Sequence, residues 1–207
     1  MINYKDYEPE TTSRQKEDIE WTIAYAYDNF IKDKPRALLI GDSICHSYSY
    51  NVKENLSGKC LISYWASSKC VTDPDYFREL DFYLDAYDYS VISLNNGLHS
   101  LDSDRNEWET AYRSAVKFIK DKKPNSKLYL TLCTPLQDPE LTAKSMELNC
   151  IVKKIAEEFC LPTIDLFTAM DKRDRDTDWS DGVHFKMEAI KEQAEIIAKT
   201  VTEALNL

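Results

Sequence analysis

The chain has 207 residues, 43% of them apolar or aromatic and 30% charged, a balance that fits one folded domain and excludes a disordered tail or a pair of full domains. At this length about 70% of the unfolded chain's surface can be buried, so the fold requires neither a metal nor a disulfide staple. The 26 basic residues against 36 acidic ones leave a net charge of −10, and with no basic cluster to neutralise phosphates a nucleic-acid partner is excluded.

The first twenty residues are polar and acidic, where a secretory leader would be basic and then apolar. No apolar run approaches the length of a membrane span, so no membrane partner is expected and the expected compartment is the cytoplasm. Cys45, Cys60, Cys70, Cys133, Cys150 and Cys160 form no C-x-x-C pair. They read as buried reduced thiols rather than a disulfide framework or a zinc knuckle.

In chain order, the periodicity over residues 14–31 predicts a helix, part of a helical extension (1–34) packed on a single domain that spans 1–207. A short apolar run at 37–40 predicts the first strand. Residues 45–59 have little helical period and read as loop with a short helix. Further apolar runs at 60–65, 91–94, 128–132 and 163–166 predict four more strands. Amphipathic stretches at 75–84, 107–120, 139–159 and 187–205 predict helices, with Pro74 and Pro139 placed where a helix begins. This alternation is that of an α/β fold with a five-stranded parallel sheet, helices on both faces and a ligand crevice at the carboxyl ends of the strands.

The segments at those strand ends carry the chemistry. Gly41-Asp42-Ser43-Ile44 follows the first strand, Asn95-Asn96-Gly97-Leu98-His99 the third, and Asp181-Gly182-Val183-His184 precedes the last helix. Three of the four glycines fall here, which points to crowded or strained turns. A nucleophile at Ser43 needs a base that titrates near neutrality, and the chain has three histidines, His46, His99 and His184. His46 is too near Ser43 along the chain to reach back over the turn. His184 has a carboxylate three residues upstream, so Asp181 can hold one ring nitrogen while the other faces the serine.

The order and motifs of these segments resemble the SGNH hydrolases, also called the GDSL lipase/esterase family, from Arg36 to the C-terminus. Gly41-Asp42-Ser43 is similar to that family's nucleophile block and Asp181-Gly182-Val183-His184 to its final block. The resemblance implies a flavodoxin-like three-layer α/β/α sandwich, a Ser43-His184-Asp181 triad and an oxyanion hole built from three donors. The family's usual glycine after the second strand and its Gly-x-Asn-Asp after the third are absent here. By position, the donors implied are the Ser43 N–H, the Ser68 N–H and the Asn95 side-chain amide, with Asn96 as second choice.

His99 reads as a substrate-binding candidate or a structural histidine, and Asp42 as a brace for the turn. Asp165 reads as a cap. The charged run from Asp171 to Asp178 lacks the glycine and closing glutamate of a calcium loop and reads as a solvated loop. Aromatic residues such as Tyr48, Tyr50, Tyr64, Trp65, Trp108 and Trp179 belong to the core or to the rim of the crevice. The resulting expectation is a serine esterase acting on a small O-acyl ester, an acetylated carbohydrate for example, with no cofactor and no metal. Two alternatives stay open: a non-catalytic flavodoxin-like binding module, and an acyltransferase that uses the same triad.

Overall fold

Residues 2–207 are described in a computed structural model. Its strands are β1 (Thr22–Ala26), β2 (Arg36–Gly41), β3 (Leu61–Ser67), β4 (Val91–Leu94), β5 (Lys127–Thr131) and β6 (Thr163–Ile164). The helices are α1 (Ser43–Asn55), α2 (Pro74–Asp85), α3 (Arg105–Lys122), α4 (Pro139–Phe159), α5 (Leu166–Asp171) and α6 (Met187–Leu205), with short 3-10 turns at Tyr4–Asp6 and Leu98–Ser100. The strands form one sheet in the order β1-β3-β2-β4-β5-β6. All neighbours are parallel except β1, which pairs antiparallel with β3 at the edge.

Central β2 is buried along its whole length, and alternation sends its side chains to opposite faces. Leu38 and Ile40 join the core beneath α2, α3 and α4, while Ala37 and Leu39 join the core beneath α1, α5 and α6. Two apolar layers thus sandwich the sheet. From β3 to β6 the strand order is that of flavodoxin-like folds, in which the order reverses beside the first parallel strand, here β2, and opens a crevice at its carboxyl end. Ser43 sits at that point, the first residue of α1.

Two predicted elements differ from the structure. Residues 14–31 are not a helix, and the extension 1–34 is not helical: it is a 3-10 turn, an extended arm and the antiparallel strand β1. The sheet accordingly has six strands among the described residues, five of them parallel. In Trp21-Thr22-Ile23-Ala24-Tyr25-Ala26-Tyr27 the large residues alternate with small ones, a period of two that fits a pleated edge better than a helix face. Residues 43–55 form a full helix. Its buried positions, Ile44, Cys45, Tyr48, Ser49 and Val52, keep helical spacing, but Cys, Tyr and Ser fill three of the five and dilute the apolar signal.

Two glycines permit close approach rather than unusual backbone. A Cβ on Gly41 would lie 2.5 Å from Cys45 Cβ, so β2 and α1 could not pack as they do. A Cβ on Gly97 would lie 2.1 Å from Cys133 Sγ, yet 3.6 Å from Cys133 Cβ. Gly97→Ala is therefore expected to cost about 1–3 kcal/mol through overpacking. Cys133→Ala should recover most of that loss in the double variant, because the obstructing atom is gone. Urea denaturation midpoints for the two singles and the double check this; additive losses would refute it.

Burial pushes the Cys45 and Cys133 thiols up to about 12 and that of Cys60 to about 11. Cys150 and Cys160 are exposed, contrary to the expectation for all six. The thiols are free. No helix among the described residues is long and apolar enough to cross a membrane.

Candidate active site

Asp42 ends the link from β2 and caps α1, its Oδ1 accepting the Ile44 N–H at 2.9 Å. That fixes the backbone at the helix start and sets Ser43 on the first turn, half-buried, at the strand's carboxyl end. The other half of the site comes from the loop before α6. Trp179 and Phe185 form an isolated antiparallel bridge, and their buried rings lie 4.5 Å apart. The Ser180 N–H donates to the His184 carbonyl at 2.8 Å, and Gln137 N–H ties Gly182 O at 3.0 Å. A loop closed in this way holds its tip with little freedom.

At that tip Asp181 Oδ1 accepts the backbone N–H of Val183 at 2.8 Å and of His184 at 2.7 Å. His184 Nδ1 lies 2.9 Å from Asp181 Oδ2, and His184 Nε2 lies 2.7 Å from Ser43 Oγ. The structure thus brings Ser43, His184 and Asp181 together across 141 residues of chain. The His184 backbone N–H is the largest influence on the Asp181 carboxyl, followed by partial burial in the opposite sense and the Val183 N–H; together they hold it down at about 2. Asp181 and His184 keep 58% and 38% of their side-chain surface exposed, so water weakens their attraction.

The other two histidines do other work. His46 Nδ1 pairs with the Tyr64 hydroxyl at 2.9 Å. His99 borders the same cleft as Ser43 and His184, but its Nδ1 is engaged by Glu17 Oε1 at 2.5 Å and its ring stands edge-on to Trp21.

Two expected oxyanion donors are committed elsewhere. The Ser68 N–H donates to Trp21 O at 3.1 Å, because the arm before β1 runs alongside the loop after β3. Asn95 Nδ2 donates to Thr131 O at 2.9 Å and points its second hydrogen toward Cys133 Sγ at 3.6 Å. Asn96, the second choice, is a strut: Nδ2 donates to Lys69 O, and Oδ1 accepts the Val71 N–H and the Ser100 hydroxyl. Of the three donors expected, only the Ser43 N–H has no partner among the described residues. Asn95→Ala should accordingly cost stability, about 1–3 kcal/mol for the Thr131 carbonyl left unpaired, and lower kcat less than tenfold. A fall of a hundredfold or more at unchanged stability would mark Asn95 as an oxyanion donor after all.

Asp165 caps α5 through the Thr168 N–H at 2.8 Å. In the charged run, Arg173 pairs with Glu192 and Asp178, and Arg175 with Asp171, so this segment is pinned rather than merely solvated. Among the described residues no three His, Cys, Asp or Glu side chains are grouped to hold a metal ion.

The cleft beside Ser43 has a volume of about 800 Å³. Sequence reasoning missed its N-terminal wall, residues 13–17, because a segment read as helix was not expected to line a site. The alternation just downstream of it, in residues 21–27, was the available signal.

An α/β/α sandwich with Gly-Asp-Ser at the end of its first parallel strand and an Asp-x-x-His loop before its last helix is an arrangement whose fold recurs in solved structures. The chain superposes on an acetyl xylan esterase with a TM-score of 0.68 at 17% identity, covering 80% of this chain and 99% of that one. For a GDSL-like lipase from Bacteroides thetaiotaomicron the score is 0.65 at 16% identity, covering 82% and 88%. For Axe2, an acetylxylan esterase from Geobacillus stearothermophilus, it is 0.63 at 17% identity, covering 84% and 94%. The fold is that of the SGNH hydrolases. No family model and no curated protein matches the sequence.

Proposed function

We propose that the protein is a metal-independent serine esterase acting on a small O-acyl ester, an acetylated carbohydrate being the best candidate. The observation that carries this reading is the hydrogen-bonded line from Ser43 Oγ through His184 to Asp181, at 2.7 and 2.9 Å. In such a line His184 Nε2 takes the hydroxyl proton as Oγ bonds to the carbonyl carbon, and Asp181 steadies the imidazolium. Collapse of the tetrahedral intermediate breaks the bond to the alcohol oxygen, which leaves with the proton from Nε2. The acyl group stays on Ser43. Water then gives a proton to Nε2 and attacks the acyl carbon, and Ser43 regains its proton as the acid departs. The Ser43 N–H, at the positive end of the 13-residue α1, is placed to stabilise the oxyanion.

The fold neighbours add support, since two of those named are acetylxylan esterases. The carboxamides of Asn95 and Asn96, both turned into the protein, favour the rival reading of a binding module. One experiment separates the two. A fluorophosphonate should label the wild type at Ser43, and turnover of 4-nitrophenyl acetate should vanish in Ser43→Ala. A folded wild type that does neither is a binding module.

A further inference from the structure

The arm before β1 is built into the site rather than draped over it. Arg14 is buried, with 4% of its side chain exposed, and all three guanidinium nitrogens are used. Nη1 meets Asp73 Oδ2 at 2.6 Å and Glu20 Oε1 at 3.2 Å, Nη2 donates to Ser68 O at 3.0 Å, and Nε to His99 O at 3.3 Å. One side chain thereby joins the loop after β3 to the turn after β4, the two segments that flank the nucleophile. A planar fork with fixed donor directions can span such a set where an ammonium cannot. The arm is held at two further points. Ser13 N and Oγ both donate to Glu107 Oε2, at 3.0 and 2.6 Å, and Glu17 engages His99.

So anchored, residues 13–17 form one wall of the cleft that Ser43 and His184 also border. This wall is polar and charged, while Leu98, Leu101, Leu136 and Leu141 supply aliphatic surface to the same cleft. A second space nearby, bounded by Asp42, Asn95 and Thr131 but by neither Ser43 nor His184, is only about 10 Å³, room for about one water. An ester held at Ser43, its alcohol portion included, must therefore lie in the open cleft, against the arm.

Building on the esterase reading, we propose that the arm selects the alcohol portion of the ester. Gln15 and Glu17 are its specificity-determining residues, and Arg14 is the positioning residue that holds them in place. Two acetates that differ in the alcohol test this: methyl acetate, whose alcohol is a single carbon, and glucose pentaacetate. Gln15→Ala and Glu17→Gln should each lower the ratio of kcat/KM for the sugar ester over methyl acetate at least fivefold, with the loss in KM. Arg14→Ala should lower the ratio as far, and Arg14→Lys should recover only part of it. A purely structural Arg14 would lower both substrates alike and leave the ratio where it was. Because Gln15 and Glu17 are exposed, their variants fold even if Arg14→Ala does not. An unchanged ratio in Gln15→Ala, Glu17→Gln and their double variant overturns the arm's role while a wild type active on methyl acetate keeps the esterase reading. A wild type inert to both esters and unlabelled by fluorophosphonate overturns both.

Discussion

Alanine at position 184 is expected to lower kcat for 4-nitrophenyl acetate by about 10⁴-fold or more, because without the imidazole nothing takes the Ser43 proton as Oγ attacks. Fluorophosphonate labelling of Ser43 should slow in parallel, since that reaction needs the same activated oxygen. The fold should barely notice. The His184 ring touches Ser43 and Asp181 and is more than a third exposed, while the hydrogen bonds that close the loop use its backbone N–H and carbonyl. A surface truncation of this kind stays within about 0.5 kcal/mol, so the thermal midpoint should stay within a few degrees of wild type. Activity within tenfold of wild type in a folded His184→Ala protein would mean that Ser43 is not activated by this histidine, and the proposed mechanism would fail.

The parts of the fold that the sequence makes legible are those where a single physical signal dominates. The span Pro139–Phe159 begins at a proline one residue after an aspartate whose Oδ1 accepts the Glu140 and Leu141 N–H groups, and its buried positions recur at helical spacing. Predicted and observed ends coincide there, as they do for Met187–Leu205. Where signals compete, legibility falls. Trp21 to Tyr27 can be read at either period, and only pairing with β3 decides it. The helix at Ser43–Asn55 buries Cys45, Tyr48 and Ser49 beside Ile44 and Val52, with no leucine among them.

The candidate site divides along the same line. Asp181 and His184 are three residues apart, so their contact is written into local geometry, and a strand followed by Gly-Asp-Ser places the hydroxyl at a known edge of the sheet. The donors at Ser68 and Asn95 depended instead on where remote segments lie. Trp21 claims the first and Thr131 the second, and neither partner is near in sequence. Arg14 was invisible for a related reason: a buried guanidinium is recognisable only once Asp73, Ser68 and His99 are seen around it.

Asp181→Asn is expected to lower kcat by about 10²- to 10³-fold. An asparagine can still accept the Val183 and His184 N–H groups through its oxygen, so the loop should keep its shape. Its amide nitrogen then faces His184 Nδ1, which favours the tautomer protonated on Nε2, the one that cannot accept the serine proton. In a buried triad the same exchange costs about 10⁴, but here the carboxylate is more than half exposed, and water already screens part of its attraction for the imidazolium. The depressed carboxyl also shapes the pH dependence. With its folded pKa at about 2 against an ordinary 3.8, Asp181 adds stability that is fully present above pH 4 or so and is lost as pH falls through about 2. Between pH 3.5 and 8 it therefore stays ionised and adds no proton of its own, so the acid limb of log kcat/KM for the wild type should not exceed a slope of one. A slope of two in that range would show a second proton entering the site and would place the Asp181 carboxyl well above where its backbone N–H partners hold it.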